Sequence, residues 1–313
     1  MKKTILITST VILLLLIGFF AIFSTNKQQN KIFNNGKLNT VSSFSIINDI
    51  VQEIGGDKVN AYSITKIGAD QHDYEPTPKD IEVAKEANIV FVNGLGLEKN
   101  GSGWFDKLMK STNQQINIQN VSKGISTIKL SSNGVAGQDN PHAWNGVKEG
   151  IIYAQNITKI LIKKDPKNKN YYQNRSDKYI QKLNILLNKW ENKFNSLDAD
   201  RKILVTQEAA TSYLARDFGL KQYYIWEIDT ESNGTPNQVK TLIDQLDKLK
   251  NIPAVFTEQG ESDKPMKAVI KQIKTNIKGV LWTDSISNKK GAVPTYYDLL
   301  NYNLKTIYNG ISS

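Results

Sequence analysis

Histidine occurs twice in this chain of 313 residues, at His72 and His142, and cysteine does not occur at all. Disulfides, thiolate metal sites and cysteine nucleophiles are therefore excluded. Any metal must be held by imidazole, carboxylate, carbonyl or water. A lone loop histidine is ordinarily solvated or structural, but both of these have informative settings. His72 lies in the loop Gly68-Ala69-Asp70-Gln71-His72-Asp73-Tyr74-Glu75-Pro76, after a strand pattern, and His142 follows Asn140-Pro141 at what reads as the start of a helix. Strand ends on the rim of an open α/β sheet are where such folds bind ligands. The second half offers carboxylates in comparable places. Glu208 follows the strand pattern Ile203–Thr206 and opens a helix, and Asp284 closes the pattern Val280–Thr283. The candidates are spaced by 142 − 72 = 70 and 284 − 208 = 76 residues. If the halves face one another, the four side chains converge in one cleft. On position alone, Glu208 and Asp284 serve equally well as helix-end carboxylates set against the backbone dipole.

The elements that would position these residues alternate. Leu38–Ser45 reads as a strand, Ile46–Ile54 as a helix, Val59–Ile67 as a strand, Pro78–Glu86 as a helix and Asn88–Val92 as a strand. Loops follow around Gly101–Gly103 and Ser131–Asn140, and Pro141 suits the first turn of a helix running to Lys163. The second half continues with strands Lys202–Thr206, Gln222–Trp226, Ala254–Thr257 and Gly279–Thr283 between helices Glu208–Phe218, Pro236–Leu249, Lys264–Lys274 and Tyr296–Tyr308. This alternation predicts α/β lobes with mostly parallel sheets flanked by helices. Between the halves, Lys169–Leu197 carries Tyr172, Tyr179, Leu183, Leu186, Trp190, Phe194 and Leu197 with no Gly or Pro. That spacing predicts one helix of seven or eight turns, either a rigid connector or a long surface helix.

Composition bounds the rest. With 39% hydrophobic and 22% charged residues the chain is globular rather than disordered. The net charge of +10 raises the question of nucleic acid, but the basic residues form no arginine-rich stripe or recognisable motif, so no nucleic-acid partner is expected. Lys2 and Lys3 precede an apolar run from Ile5 to Phe23, long enough to span a bilayer with the lysines inside. Bulky residues stand where a cleavage site would need small ones, which favours a retained anchor. The expected division is 1–25 signal or anchor segment, 26–37 tether, 38–165 N-terminal lobe, 166–199 linking helix and 200–313 C-terminal lobe.

From Leu38 onward the chain resembles the metal-binding receptors that supply manganese, zinc or iron to bacterial ATP-driven (ABC) importers. The resemblance is carried by Gly68 to Pro78, by Asn140-Pro141-His142-Ala143-Trp144, and by Val205-Thr206-Gln207-Glu208-Ala209-Ala210 with Tyr213 and Gly219-Leu220. Trp226 to Glu231, Gly234-Thr235-Pro236 and Thr283-Asp284-Ser285 complete it. It implies two lobes joined by one long linking helix, and His72, His142, Glu208 and Asp284 as the metal ligands. The third ligand position in this family is histidine or glutamate, and here it is Glu208. Two imidazoles and two carboxylates suit Mn²⁺ better than a nitrogen-rich tetrahedral zinc site, and the chain lacks a histidine-rich loop. Mn²⁺ is the expected transported ligand, with Zn²⁺ or Fe²⁺ as alternatives.

The resemblance further implies a monomer held at the outer face of the cytoplasmic membrane, with the importer's membrane permease as partner. No enzyme activity is expected, since there is no His-Glu-x-x-His spacing and no spare histidine; an adhesin with a structural metal is the other alternative. Two departures stand out. There is no cysteine to carry the lipid that relatives use, which leaves the apolar segment as the tether. After Trp144 the chain runs Asn145-Gly146-Val147, a sequence expected to loosen the following turn.

Overall fold

The alternating apolar runs become eight strands in two sheets among the described residues. Strands β1 (Leu38–Ser42), β2 (Val59–Ser63), β3 (Ile89–Val92) and β4 (Ile118–Asn120) lie in the order β2-β1-β3-β4. Strands β5 (Ile203–Glu208), β6 (Lys221–Trp226), β7 (Val255–Glu258) and β8 (Ile277–Leu281) repeat it as β6-β5-β7-β8. Every pairing is parallel. The computed structural model describes residues 35–313 apart from 70, 100–102, 133, 230–232 and 274. The expected anchor segment and all of the tether before residue 35 lie outside them. Among the described residues no helix is long and apolar enough to cross a membrane.

Nine α-helices accompany the sheets among the described residues: α1 (Ser45–Gly55), α2 (Pro78–Lys85), α3 (Trp104–Ser111), α4 (Val147–Lys164), α5 (Lys169–Asn195), α6 (Ser212–Asp217), α7 (Pro236–Leu246), α8 (Lys264–Ile273) and α9 (Tyr296–Ser312). The long helix α5 has 27 residues, and its buried stripe includes Tyr172, Tyr179, Leu183, Leu186, Trp190 and Phe194. That spacing keeps one face inward, against α1 and α4 on one side and α9 on the other. One apolar core runs from Phe44 and Trp144 through Leu183 and Phe194 to Phe256, Tyr296 and Ile311. A second cluster, including Val205, Trp226, Leu242 and Met266, covers the far face of the second sheet.

The structure differs from the sequence reading at several joints. Residues 104–111 and 118–120 form α3 and β4, neither of which was expected. Pro141 does not open a helix: a 3₁₀ turn at Ala143–Asn145 intervenes and α4 begins at Val147. Glu208 is the last residue of β5, and a 3₁₀ turn at Ala209–Thr211 precedes the short α6. Gly219 adopts φ +66° beyond α6, as expected of a helix stop.

Helix α9 begins against the first half of the fold. Tyr296 N donates to Asp49 Oδ2 at 2.8 Å, and the Tyr296 hydroxyl donates to Trp144 O at 2.5 Å. Burial pushes the Asp49 carboxyl up to about 7; the Tyr296 N–H works against this, Glu53 and Asp298 reinforce it, and Lys182 opposes it. The native state therefore holds this proton more tightly than the unfolded chain. Its stabilising contribution is complete below pH 3.8 and is lost as pH rises through about 7. Asp49→Asn mimics the protonated form and keeps an acceptor for Tyr296. Thermal unfolding should show the variant gaining on wild type as pH rises from about 4 to 8, with the gap widest at the alkaline end.

Candidate metal centre

Three of the four candidate residues converge. The ligand atoms of His142, Glu208 and Asp284 all lie within 4.8 Å of one another. The His72 ring stands beside them, its centroid 5.9 Å from that of His142. His142 and Glu208 are fully buried, His72 nearly so and Asp284 half-buried. Two of the residues come from loops after β2 and β4, one ends β5 and one follows β8, so all stand at the carboxyl ends of strands.

His142 is locked in orientation. Asn140 Oδ1 accepts from both the backbone N–H and Nδ1 of His142, each at 2.9 Å, while Asn140 Nδ2 donates to Ala209 O at 3.0 Å. An amide oxygen only accepts, so the proton sits on Nδ1 and the Nε2 lone pair is left bare. Nε2 is buried without a hydrogen bond, 3.4 Å from Glu208 Oε1. Burial, with His72 close by, holds the His142 imidazole well below its ordinary range. It is a neutral nitrogen donor, the form in which imidazole binds metal.

The segment after His142 reaches across to the second sheet. Trp144 Nε1 donates to Thr283 O at 2.5 Å, and Asn145 Nδ2 donates to Ala210 O at 3.1 Å and Thr283 O at 3.3 Å. The residues flanking Glu208 and Asp284 are thereby pinned by the segment that carries His142. Asn145-Gly146 does not loosen the turn: Asn145 is buried in these bonds. A Cβ at Gly146 would overlap the Glu149 carboxylate and lie 3.0 Å from Tyr213 Cβ, so glycine is needed for the close approach.

Glu208 is set by the strands around it. Strands β5 and β7 pair only at Val205↔Val255, and past that point side chains bridge the gap. Glu258 Oε1 accepts from Gln207 N at 3.1 Å and Glu208 N at 2.8 Å, and Glu258 Oε2 lies 3.2 Å from Thr283 Oγ1. Gln207 Oε1 in turn accepts from Glu258 N at 2.9 Å. Glu208 Oε1 accepts from Asp229 N at 2.9 Å. Burial, then the charges of Asp229, Asp284 and Glu258, pushes the Glu208 carboxyl well above its ordinary range, and burial takes Glu258 to about 8. Such a cluster resists carrying its full negative charge until a cation joins it.

The His72 loop is gathered on one side chain. Asp80 accepts from Lys66 Nζ at 2.7 Å, Tyr62 Oη at 2.8 Å, Tyr74 Oη at 3.0 Å and Thr77 N at 2.8 Å. Burial works against its charge, but Lys66 and Thr77 hold its carboxyl below the ordinary range. Asp80 also completes a capping box with Thr77 at the start of α2. Sequence reasoning missed Asn140, Glu258 and Asp80 as organisers. Only Asp80 left a local signal, the Thr77-Pro78-Lys79-Asp80 cap.

Two like-built parallel sheets, with imidazoles and carboxylates facing one another at their strand ends, define the class of two-lobed metal-binding receptors. The chain belongs to the family described as zinc-uptake complex component A, periplasmic, which it matches over residues 40–310. It is 40% identical over 301 residues to the metal ABC transporter substrate-binding lipoprotein SsaB of Streptococcus sanguinis, covering 96% of this chain and 97% of that protein. It is 37% identical over 306 residues to the manganese ABC transporter substrate-binding lipoprotein PsaA of Streptococcus pneumoniae, covering 97% and 98%. Among solved structures, the Mn-bound periplasmic metal binding protein of Candidatus Liberibacter asiaticus superposes with a TM-score of 0.79 at 34% identity, over 88% of this chain and all of that one.

Glu258→Ala would strand the N–H groups of Gln207 and Glu208, at about 1–3 kcal/mol for each buried donor left unmade. Glu258→Gln keeps an acceptor oxygen and should stay within about 1 kcal/mol of wild type. Urea unfolding at neutral pH separates the two.

Proposed function

We propose that this chain captures a divalent transition-metal ion between its two sheets and delivers it to an ABC importer, with Mn²⁺ as cargo. His72, His142, Glu208 and Asp284 are its ligands. The observation that carries the reading is the convergence of the donor atoms of His142, Glu208 and Asp284 within 4.8 Å, with the bare Nε2 of His142 turned inward. Relatives described as manganese ABC transporter substrate-binding lipoproteins support the cargo. So does the Liberibacter protein, solved with Mn and with Cd. The family description speaks of zinc. The donor chemistry decides in favour of manganese: two carboxylates supply hard oxygens that neutralise the ion and allow more than four contacts.

The receptor works outside the cytoplasmic membrane, facing a membrane permease that takes over the ion. Its relatives are described as lipoproteins, yet this sequence has no cysteine. We assign tethering to the apolar run Ile5–Phe23 instead. The receptor acts as a monomer and as a binding protein rather than a hydrolase. We assign its lobes to residues 38–165 and 200–313, with 166–199 linking them.

Elemental analysis of protein purified without chelators should find about one Mn per chain. Competitive titration should show His72→Ala losing roughly 100-fold or more in Mn²⁺ affinity. Glu208→His should move the Mn/Zn affinity ratio toward zinc by about tenfold or more. An unchanged ratio would remove Glu208 from the ligand set.

A further inference from the structure

We propose that Gln71 is a positioning residue for Asp284 and a determinant of the site's preference for manganese over zinc; this rests on the metal-receptor reading above. Gln71 precedes His72 on the loop from β2, and its side chain is buried. Its Nε2 crosses to the second lobe and donates to Asp284 Oδ1 at 3.0 Å. The backbone around it is fixed, because Trp104 Nε1 donates to Gln71 O at 3.2 Å. A few residues away Gly68 N donates to Ser285 Oγ at 3.2 Å. The loop is thus stitched to Asp284 and to Ser285 directly after it.

The other carboxylate oxygen is also held, with Thr283 Oγ1 donating to Asp284 Oδ2 at 2.9 Å. An ionised carboxylate has about four lone-pair positions. A donor on each oxygen, one from each lobe, restrains rotation of the carboxylate plane. Asp284 needs that restraint more than Glu208 does. It is the half-buried member of the set, and it opens onto a cavity of about 310 Å³ bordered by Ile67, Asp229 and Trp282. A carboxylate held in one fixed orientation favours an ion that accepts many oxygen donors in a set arrangement, as Mn²⁺ does. One free to swing adapts readily to a single oxygen contact in a tetrahedral zinc site.

The remaining atom of the amide supports this assignment. Gln71 Oε1 is buried and has no hydrogen-bond partner, an arrangement that costs stability. The carboxamide is held by its donor end, and its acceptor end is left for a polar group that arrives with the ion. An apolar side chain would fill the same space without that penalty, so the fold alone does not account for glutamine here.

The test uses the full chain as wild type, Gln71→Met and Gln71→Asn. The first is near in volume without the donor; the second keeps the amide but loses reach. Mn²⁺ and Zn²⁺ affinities are measured by chelator competition, and Mn²⁺-loaded samples are compared by electron paramagnetic resonance. Both variants should lose about 10–100-fold in Mn²⁺ affinity and much less for Zn²⁺, by the usual size of effects from groups that orient a ligand. The Mn²⁺ spectrum should change with them. Equal losses for the two metals, or none, with an unaltered spectrum would reduce Gln71 to a structural residue and overturn the proposal. Failure of wild type to bind either metal would overturn the metal-receptor reading, and this proposal with it.

Discussion

Everything at the centre depends on one short segment donating hydrogen bonds across the lobes. Asn140, Trp144 and Asn145 reach the carbonyls of Ala209, Ala210 and Thr283. They thereby fix one imidazole and the backbones of two carboxylates relative to one another. Without those bonds the buried negative groups of the second lobe would repel one another and separate. With them, the carboxylates of Glu208 and Asp284 are held close together beside the bare Nε2 of His142.

The same bonds help make Gly36–Ser313 one compact unit. Its core is continuous through α5 and α9, and α9 starts on a side chain of α1. Flexible-strand hinges allow wide closure between domains. Here a helix, a shared core and direct cross-lobe bonds replace such a hinge.

Much of this was legible in the residues. The strand and helix alternation, the long helix and the positions of the four candidate side chains all follow from periodicity and from which residue types occur where. The misreadings have local causes. Asn140-Pro141-His142 resembles a helix start, but the side chain of Asn140 is spent on His142 and Ala209, so a 3₁₀ turn comes first. Strand β4 is three residues long, two of them polar, too brief for alternation to reveal. The roles of Asn140 and Glu258 had no local signature, because Asn140 meets Ala209 from 69 residues away and Glu258 meets Glu208 from 50. No window of sequence contains both members of such a pair.

Asp80 gives the His72 loop a distinctive topology. Because Lys66 and Thr77 both end on that one carboxylate, the intervening stretch is a small ring closed by hydrogen bonds rather than a free strap. Most of its chain entropy was lost when the protein folded, since bringing the ends of a loop together is where that cost falls. His72 therefore moves as a pendant on a closed ring. Any group that binds at this loop orders few additional residues, so little of the binding free energy is lost to ordering the chain.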